Sequence, residues 1–264
     1  MSESGDPGEL AEGTLISHLL ELRDRLLKAM VAVGICFVPC VYYMNSLFTF
    51  IAEPLKRKLP PGATIIATSV VGTFTVPFKM ALLLAVGMAM PYVLYQAWAF
   101  VAPGLYKHEK KLAIPLLVSS VILFYTGAAF AYYIVFPFMV SFFISTTPAG
   151  VQMMTEMGNY LDFVMILVLA FGLAFEVPVA TVLLVWTGFV KIATLKKNRG
   201  FVILGIFIFA AFVTPPDAVS QSALAIPMCL LYEIGILMAK LLLKDKLAAR
   251  AKEEAEQAGR ESGA

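Results

Sequence analysis

Long apolar runs alternate with short polar gaps along this chain, and its basic residues are sorted among those gaps. Sixteen of the 20 Lys and Arg residues fall in every second gap. Arg23, Arg25 and Lys28 precede the first run. Lys107, Lys110 and Lys111 lie between the second and third. Lys191, Lys196, Lys197 and Arg199 lie between the fourth and fifth, and Lys240, Lys244, Lys246, Arg250, Lys252 and Arg260 follow the sixth. Lys56, Arg57, Lys58 and Lys79 stand outside the pattern. Short loops rich in Lys and Arg stay on the cytoplasmic side of a membrane. The distribution therefore predicts an all-α integral membrane protein with six membrane-crossing helices and both termini in the cytoplasm.

Composition agrees. Hydrophobic residues make up 60% of the chain and charged residues 14%, against roughly half and a quarter in soluble domains. The formal charge of +2 says little about partners, because the charges are segregated by side. The basic residues sit at membrane boundaries rather than along one face, which argues against nucleic acid as a partner. Cys36, Cys40 and Cys229 read as small hydrophobes. With His18 and His108 the only histidines, and no CxxC or HExxH, a catalytic metal centre is not expected, nor any cofactor. Residues 1–14 are acidic and Gly-rich, unlike a cleavable signal.

Along the chain, residues 1–13 read as a disordered acidic tail. Residues 14–28 read as an amphipathic helix in the cytoplasmic interface, with Leu15, Leu19, Leu22 and Leu26 at helical spacing. The first span covers about residues 29–51. An outer segment, 52–73, is punctuated by Glu53-Pro54 and Pro60-Pro61-Gly62. Span two, about 74–101, is expected to kink or break near Pro77 and Pro91. The tight loop 103–111 follows, then span three at about 112–144. A second outer loop occupies 145–158 and span four about 160–189. The fifth run is short: 14 residues separate Arg199 from the Thr214-Pro215-Pro216-Asp217 turn, about 21 Å of helix against about 30 Å of hydrocarbon. Helix six, about 218–243, is also expected to be effectively short, because Pro227 and Glu233 interrupt its apolar core. The membrane domain is thus 14–243, with a charged cytoplasmic tail over 244–264. Short helices must thin the bilayer or be shielded by other helices. No internal repeat is visible, which counts against an inverted-repeat secondary transporter.

Glu176 is the sharpest chemical oddity, set between apolar residues in Phe175-Glu176-Val177-Pro178. Pro178 leaves the Ala174 carbonyl without its helical donor, and a carboxylate at that depth is costly and functional by default. The bland reading is a protonated Glu bonded to a neighbouring helix. Lys79, near the outer end of span two, is free to snorkel outward. Glu21, Arg23, Asp24 and Arg25 form a charge cluster whose plain reading is i,i+4 pairing, Glu21 with Arg25 and Asp24 with Lys28. Glu109 reads plainly as a solvated loop charge, and Asp217 and Gln221 as caps of helix six.

Five ordered segments carry a resemblance. They are Ser17-His18-Leu19-Leu20-Glu21-Leu22-Arg23-Asp24-Arg25, Tyr95-Gln96-Ala97-Trp98-Ala99-Phe100-Val101-Ala102-Pro103-Gly104-Leu105, Tyr106-Lys107-His108-Glu109-Lys110-Lys111, Phe175-Glu176-Val177-Pro178-Val179 and Thr214-Pro215-Pro216-Asp217. Together, over about residues 14–243, the chain resembles the TatC family, the polytopic subunits of the twin-arginine protein translocase. The resemblance implies a receptor that exports folded proteins, driven by the proton-motive force and without nucleotide. It implies that Glu21 and Glu109 bind the consecutive arginines of a signal peptide, with Phe100 and Arg23 at other important positions and Pro54 needed in the outer segment. It implies that TatA- and TatB-type single-span subunits dock along helices five and six near Thr214, Asp217 and Gln221, within a homo-oligomeric complex in the bacterial cytoplasmic (inner) membrane.

The expected architecture is a concave cup of six helices, and the expected function is twin-arginine signal recognition rather than an enzymatic one. The rival reading from the residues alone is a proton-coupled small-solute transporter using Glu176. An intramembrane protease is disfavoured, since neither GxSxG nor HExxH occurs.

Overall fold

The computed structural model describes residues 7–58, 64–101, 113–148, 150–151 and 154–244. These form ten α-helices and two short strands: α1 (Pro7–Tyr42), α2 (Met44–Lys58), β1 (Thr64–Ile66), α3 (Gly72–Val101), α4 (Ala113–Phe130), α5 (Phe136–Ser145), β2 (Met154–Glu156), α6 (Met157–Ala174), α7 (Val177–Thr187), α8 (Ile192–Lys197), α9 (Arg199–Val213) and α10 (Ala218–Leu242). Five helical stretches are long and apolar enough to cross a membrane: Ile16–Tyr42, Gly72–Phe100, Ile114–Ser145, Met157–Thr187 and Ala218–Leu242. The sixth expected span, α9, has 15 residues, about 22 Å of helix, and is too short to cross unaided. Contacts divide the chain into two compact units, with boundaries at Ile122/Leu123, Met139/Val140 and Met165/Ile166.

In the first unit, α1 packs on α3. Ala81 and Ala85 of α3 are fully buried, and their small side chains let α1 approach with Cys40, Phe37 and Cys36. Small residues serve this role in membrane helix pairs, where close packing replaces the hydrophobic drive. Phe37 meets Phe78 edge-on at 5.2 Å, and the Cys40 thiol donates to the Met88 sulfur at 3.6 Å.

Several boundaries differ from the sequence reading. α1 begins at Pro7, inside the segment read as a tail, and runs unbroken to Tyr42, so residues 14–28 are not a separate interfacial helix. Between residues 14 and 33 there is no Gly or Pro to break it, and Leu, Arg, Lys and Glu all favour continuation. The Glu53-Pro54 pair does not end a helix either: α2 continues through it to Lys58. Its polar residues Asn45, Ser46, Thr49, Lys56 and Arg57 face outward, while Ile51 and Ala52 are buried, which is the pattern of an amphipathic surface helix. The Tyr160 hydroxyl donates to the Ile51 carbonyl at 2.7 Å. α3 is continuous through Pro77 and Pro91. The two outer segments, read as plain loops, pair as parallel strands in the register Thr64↔Met154, Ile65↔Thr155 and Ile66↔Glu156.

In the second unit, the C-terminal half of α4 crosses α6 closely. A Cβ on Gly127 would stand 2.5 Å from the Phe171 carbonyl oxygen, and one on Gly172 would stand 2.6 Å from the Phe124 ring. Phe130 packs on Phe171 and Phe175, with ring centroids 5.5 and 5.7 Å away. A π-helical turn, Ala131–Val135, follows α4 and leads into α5 just before Pro137. α7 and α10 meet at Gly235, where a Cβ would stand 3.0 Å from the Pro178 Cα. Helix six of the sequence reading, α10, is not short: it has 25 residues, about 37 Å. Glu233 does not interrupt it, because Arg199 neutralises its carboxylate at 2.6 Å.

Candidate functional site

The polar residues of the α1 N-terminal half and the α3 C-terminal end come together in the first unit. The two helices run antiparallel, so His18 faces Phe100 while Arg25, two turns on, faces Gln96, one turn back. The His18 and Phe100 rings stack with centroids 4.3 Å apart and planes 20° from parallel. Arg25 donates from Nε and Nη2 to Oε1 of Glu21 at 2.9 and 2.6 Å. Its Nη1 donates to Oε1 of the buried Gln96 at 3.4 Å. Trp98 Nε1 donates to Ser120 Oγ at 3.3 Å, fixing this end of α3 against α4. Arg23 points elsewhere and pairs with Asp24, with both side chains more than half exposed. The expected Asp24–Lys28 pairing is thus replaced by Arg23–Asp24, while Glu21–Arg25 forms as the i,i+4 spacing suggested.

Glu109 lies outside the described residues. Pro54 lies within α2. Glu176 is half-buried and takes the N-cap position of α7, at φ −77° and ψ −16°. Its amide donates to the Leu173 carbonyl at 3.0 Å and its carbonyl accepts from Ala180 at 2.8 Å. The fourth span breaks at Phe175–Glu176, where Pro178 removes the donor to the Ala174 carbonyl.

At the α9–α10 turn, three named residues hold the turn together. Thr214 is buried and donates to the Ala210 carbonyl at 2.9 Å. Asp217 caps α10 by accepting from the Ser220 amide at 2.7 Å, and the Gln221 side-chain amide donates to the Phe207 carbonyl at 3.0 Å. The exposed surface is instead apolar and lies on α9. Ala210 alone of its residues is buried, while Phe201 and Phe212 are 79% and 87% exposed, with Leu204 and Ile208 between them at helical spacing.

Sequence reasoning passed over Gln96, His18 and Asp162 as members of polar contacts. Lys79, rather than only reaching outward, pairs with Asp162 of α6 at 3.4 Å. Gln96 carried a legible signal, an amide inside an otherwise apolar run. Outside the spans, Glu156 ends β2 and accepts from the Asn159 amide at 2.6 Å. The Asn159 and Gly158 amides hold its carboxyl below the usual range. Among the described residues, no cluster of His, Cys, Asp or Glu is arranged to hold a metal ion.

The family model of the Sec-independent protein translocase protein (TatC) matches residues 17–227. The chain belongs to the TatC family. It is 53% identical over 222 residues to the Sec-independent protein translocase protein TatC of Azotobacter chroococcum, covering 84% of this chain and 87% of that one. It is 48% identical over 245 residues to the TatC of Haemophilus influenzae, covering 92% and 96%. A crystal structure of the twin arginine translocase receptor TatC matches with a TM-score of 0.77 at 36% identity, covering 85% of this chain and 98% of that one. A second crystal structure of that receptor matches with a TM-score of 0.78. As a TatC family member the chain is a multi-pass membrane component of a protein translocase and not an enzyme, which leaves the solute-transporter reading of Glu176 without support.

Proposed function

We propose that this protein is the receptor of a twin-arginine translocase, binding signal peptides with consecutive arginines and passing folded proteins across the bacterial inner membrane on the proton-motive force. The observation that carries the reading is the Glu21–Arg25–Gln96 cluster beside the His18–Phe100 stack. A carboxylate held in a partly apolar setting next to an aromatic surface suits a guanidinium followed by a hydrophobic segment. Glu109, which follows α3 in the sequence, supplies the second carboxylate, and Arg23 lies on the same helix as Glu21. Both termini lie in the cytoplasm, supported by the Lys/Arg distribution; a C-terminal reporter active outside the cell would overturn this orientation.

The deciding experiment is export of a folded reporter carrying an Arg-Arg signal, in cells lacking this chain and then complemented with it. Wild type restores export of the Arg-Arg reporter and not of a Lys-Lys version. Glu176→Gln restores most of it, since an amide keeps a polar, hydrogen-bonding group within the membrane, while Glu176→Leu restores much less. No export on complementation refutes the receptor reading, and full export by the leucine variant removes any need for polarity at Glu176.

The apolar face of α9 supports docking of TatA- and TatB-type single-span subunits, with Thr214, Asp217 and Gln221 building the turn that presents it. A helix of about 22 Å with large exposed aromatics is stabilised by a neighbouring transmembrane helix or by thinned bilayer. Cysteines at Leu204, Ile208 and Phe212 are expected to crosslink to a single-span subunit during export, and one at the buried Ala210 is not. Equal yields at all four positions, or none at any, would sink this docking site. Further copies of the chain complete the complex.

A further inference from the structure

α9 stops well short of the far end of its partner helix. α9 and α10 run antiparallel from the Thr214–Asp217 turn. Near that turn the Gln221 side chain reaches the Phe207 carbonyl, and at the other end Arg199 donates to Glu233 at 2.6 Å. From the turn to this ion pair each helix rises about 22 Å. α10 then continues from Ile234 to Leu242, about 13 Å further. Leu237, Leu241 and Leu242 in that stretch are more than half exposed, which suits hydrocarbon and not water.

α8 is held at the level of the ion pair. The Tyr232 hydroxyl donates to the Leu195 carbonyl at 2.9 Å. Lys196 and Lys197, both exposed, follow in the last turn of α8. Lys196, Lys197 and Arg199 therefore gather about 13 Å inside the end of α10. In residues 191–244 the acids are Glu233 at this corner and Asp217 at the opposite turn, so one carboxylate faces three cations. A charge at hydrocarbon depth is costly. Lysines near helix ends escape by snorkelling, but Arg199 is tied to Glu233. Its bond there uses Nη2, and Nε and Nη1 remain as donors for a further acceptor.

Phosphate supplies what this corner lacks. Its oxygens accept from guanidinium and ammonium together, and an acidic headgroup offsets the surplus of cations. A zwitterionic headgroup brings its own cation, which the three basic residues repel. We propose that the α8–α9 corner binds the phosphate of an acidic phospholipid, drawn inward to Lys196, Lys197 and Arg199 with its acyl chains along Phe201. Phe201, in the first turn of α9, is 79% exposed and offers the apolar contact. Lys240, two turns beyond Glu233 on the same face of α10, adds a cation toward the helix end. Lipid binding at this corner is independent of signal binding, so its failure leaves the receptor reading as it stands.

The test uses the full chain purified in detergent and titrated with phosphatidylglycerol or phosphatidylcholine. Native mass spectrometry resolves each bound lipid. Wild type is expected to bind its first phosphatidylglycerol about twentyfold more tightly than phosphatidylcholine. Lys196→Gln/Lys197→Gln is expected to weaken phosphatidylglycerol about twentyfold and phosphatidylcholine little, since each basic residue at a headgroup contributes about a factor of five. Lys28→Gln/Lys56→Gln removes the same charge from exposed positions elsewhere, and is expected to keep the preference. Glycerol phosphate in tenfold excess is expected not to displace the lipid, because it lacks the chains. Equal binding of the two lipids by wild type overturns the proposal, and so does an unchanged preference in Lys196→Gln/Lys197→Gln. An equal loss in Lys28→Gln/Lys56→Gln would reduce the effect to net charge and overturn a placed site. Displacement by glycerol phosphate would make it a free-anion site and overturn the lipid. If the double variant does not accumulate, Lys196→Gln and Lys197→Gln decide singly, each with an expected loss of about fivefold; no loss in either overturns the proposal equally.

Discussion

Glu21→Ala and Glu109→Ala are each expected to cut crosslinking of an Arg-Arg signal, and export with it, about ten- to a hundredfold. A hydrogen bond to a charged group contributes about 1.5–3 kcal/mol, and on the receptor reading proposed above each variant removes an acceptor for a signal arginine. Glu109→Asp should be intermediate, since the shorter stem misplaces the same carboxylate. Lys107, Lys110 and Lys111 flank Glu109 and repel a basic peptide, so diffuse attraction cannot substitute for the placed acid. Because Glu21 also anchors Arg25, Glu21→Gln is the companion variant: its amide still accepts from Arg25 but presents no charge to the signal. The measurement is photo-crosslinking of Arg-Arg and Lys-Lys signals to each variant, with membrane insertion checked in parallel. If both alanine variants separate the two signals as wild type does, these acids are solvated charges and no more.

The largest structural effect is expected at Gly127. A Cβ there meets the Phe171 carbonyl oxygen at 2.5 Å and two carbons of Phe175 at 2.8 and 2.9 Å. Phe171 offers backbone, not the end of a flexible side chain, so α4 and α6 must separate. Overpacking of a close contact costs about 1–3 kcal/mol, and Gly127→Val lies at or beyond the upper end. Gly127→Val is expected to lower the unfolding midpoint in detergent by several degrees and to reduce accumulation in the membrane, with Gly127→Ala milder. Gly34→Ala is the control, since nothing lies within 4 Å of a Cβ there; it should be neutral or slightly stabilising, as Ala favours helix over Gly. Equal midpoints for Gly127→Val and Gly34→Ala would show that this crossing tolerates separation.

The errors of the sequence reading share one cause. Glu53-Pro54 looks like a turn when only local signals are weighed, yet burial of Ile51 and Ala52 carries α2 through it. Glu233 looks like a charge that shortens an apolar helix, until Arg199, 34 residues earlier, is seen on its carboxylate. Lys79 looks like an unpaired cation until Asp162 is found beside it. In each case the deciding partner is distant in sequence or lies on the packing face of a neighbouring helix.

What the chain determines alone are the properties that add along it: apolar length measured against a fixed hydrocarbon thickness, the sorting of Lys and Arg among the polar gaps, and the proline that deprives the fourth span of a backbone hydrogen bond. These fixed the all-α membrane class, the shortness of α9 and the position of Glu176, because each depends on a segment and its solvent and on nothing else. Glu21 was legible as a candidate only through motif resemblance. That its carboxylate is already filled by Arg25 was half-legible from the i,i+4 spacing, but the hold by Gln96, the His18–Phe100 stack, the β1–β2 pairing and the Gly127 crossing belong to the tertiary structure. Each depends on the register of one element against another, and a periodic helix face offers many nearly equivalent registers until side-chain packing selects one.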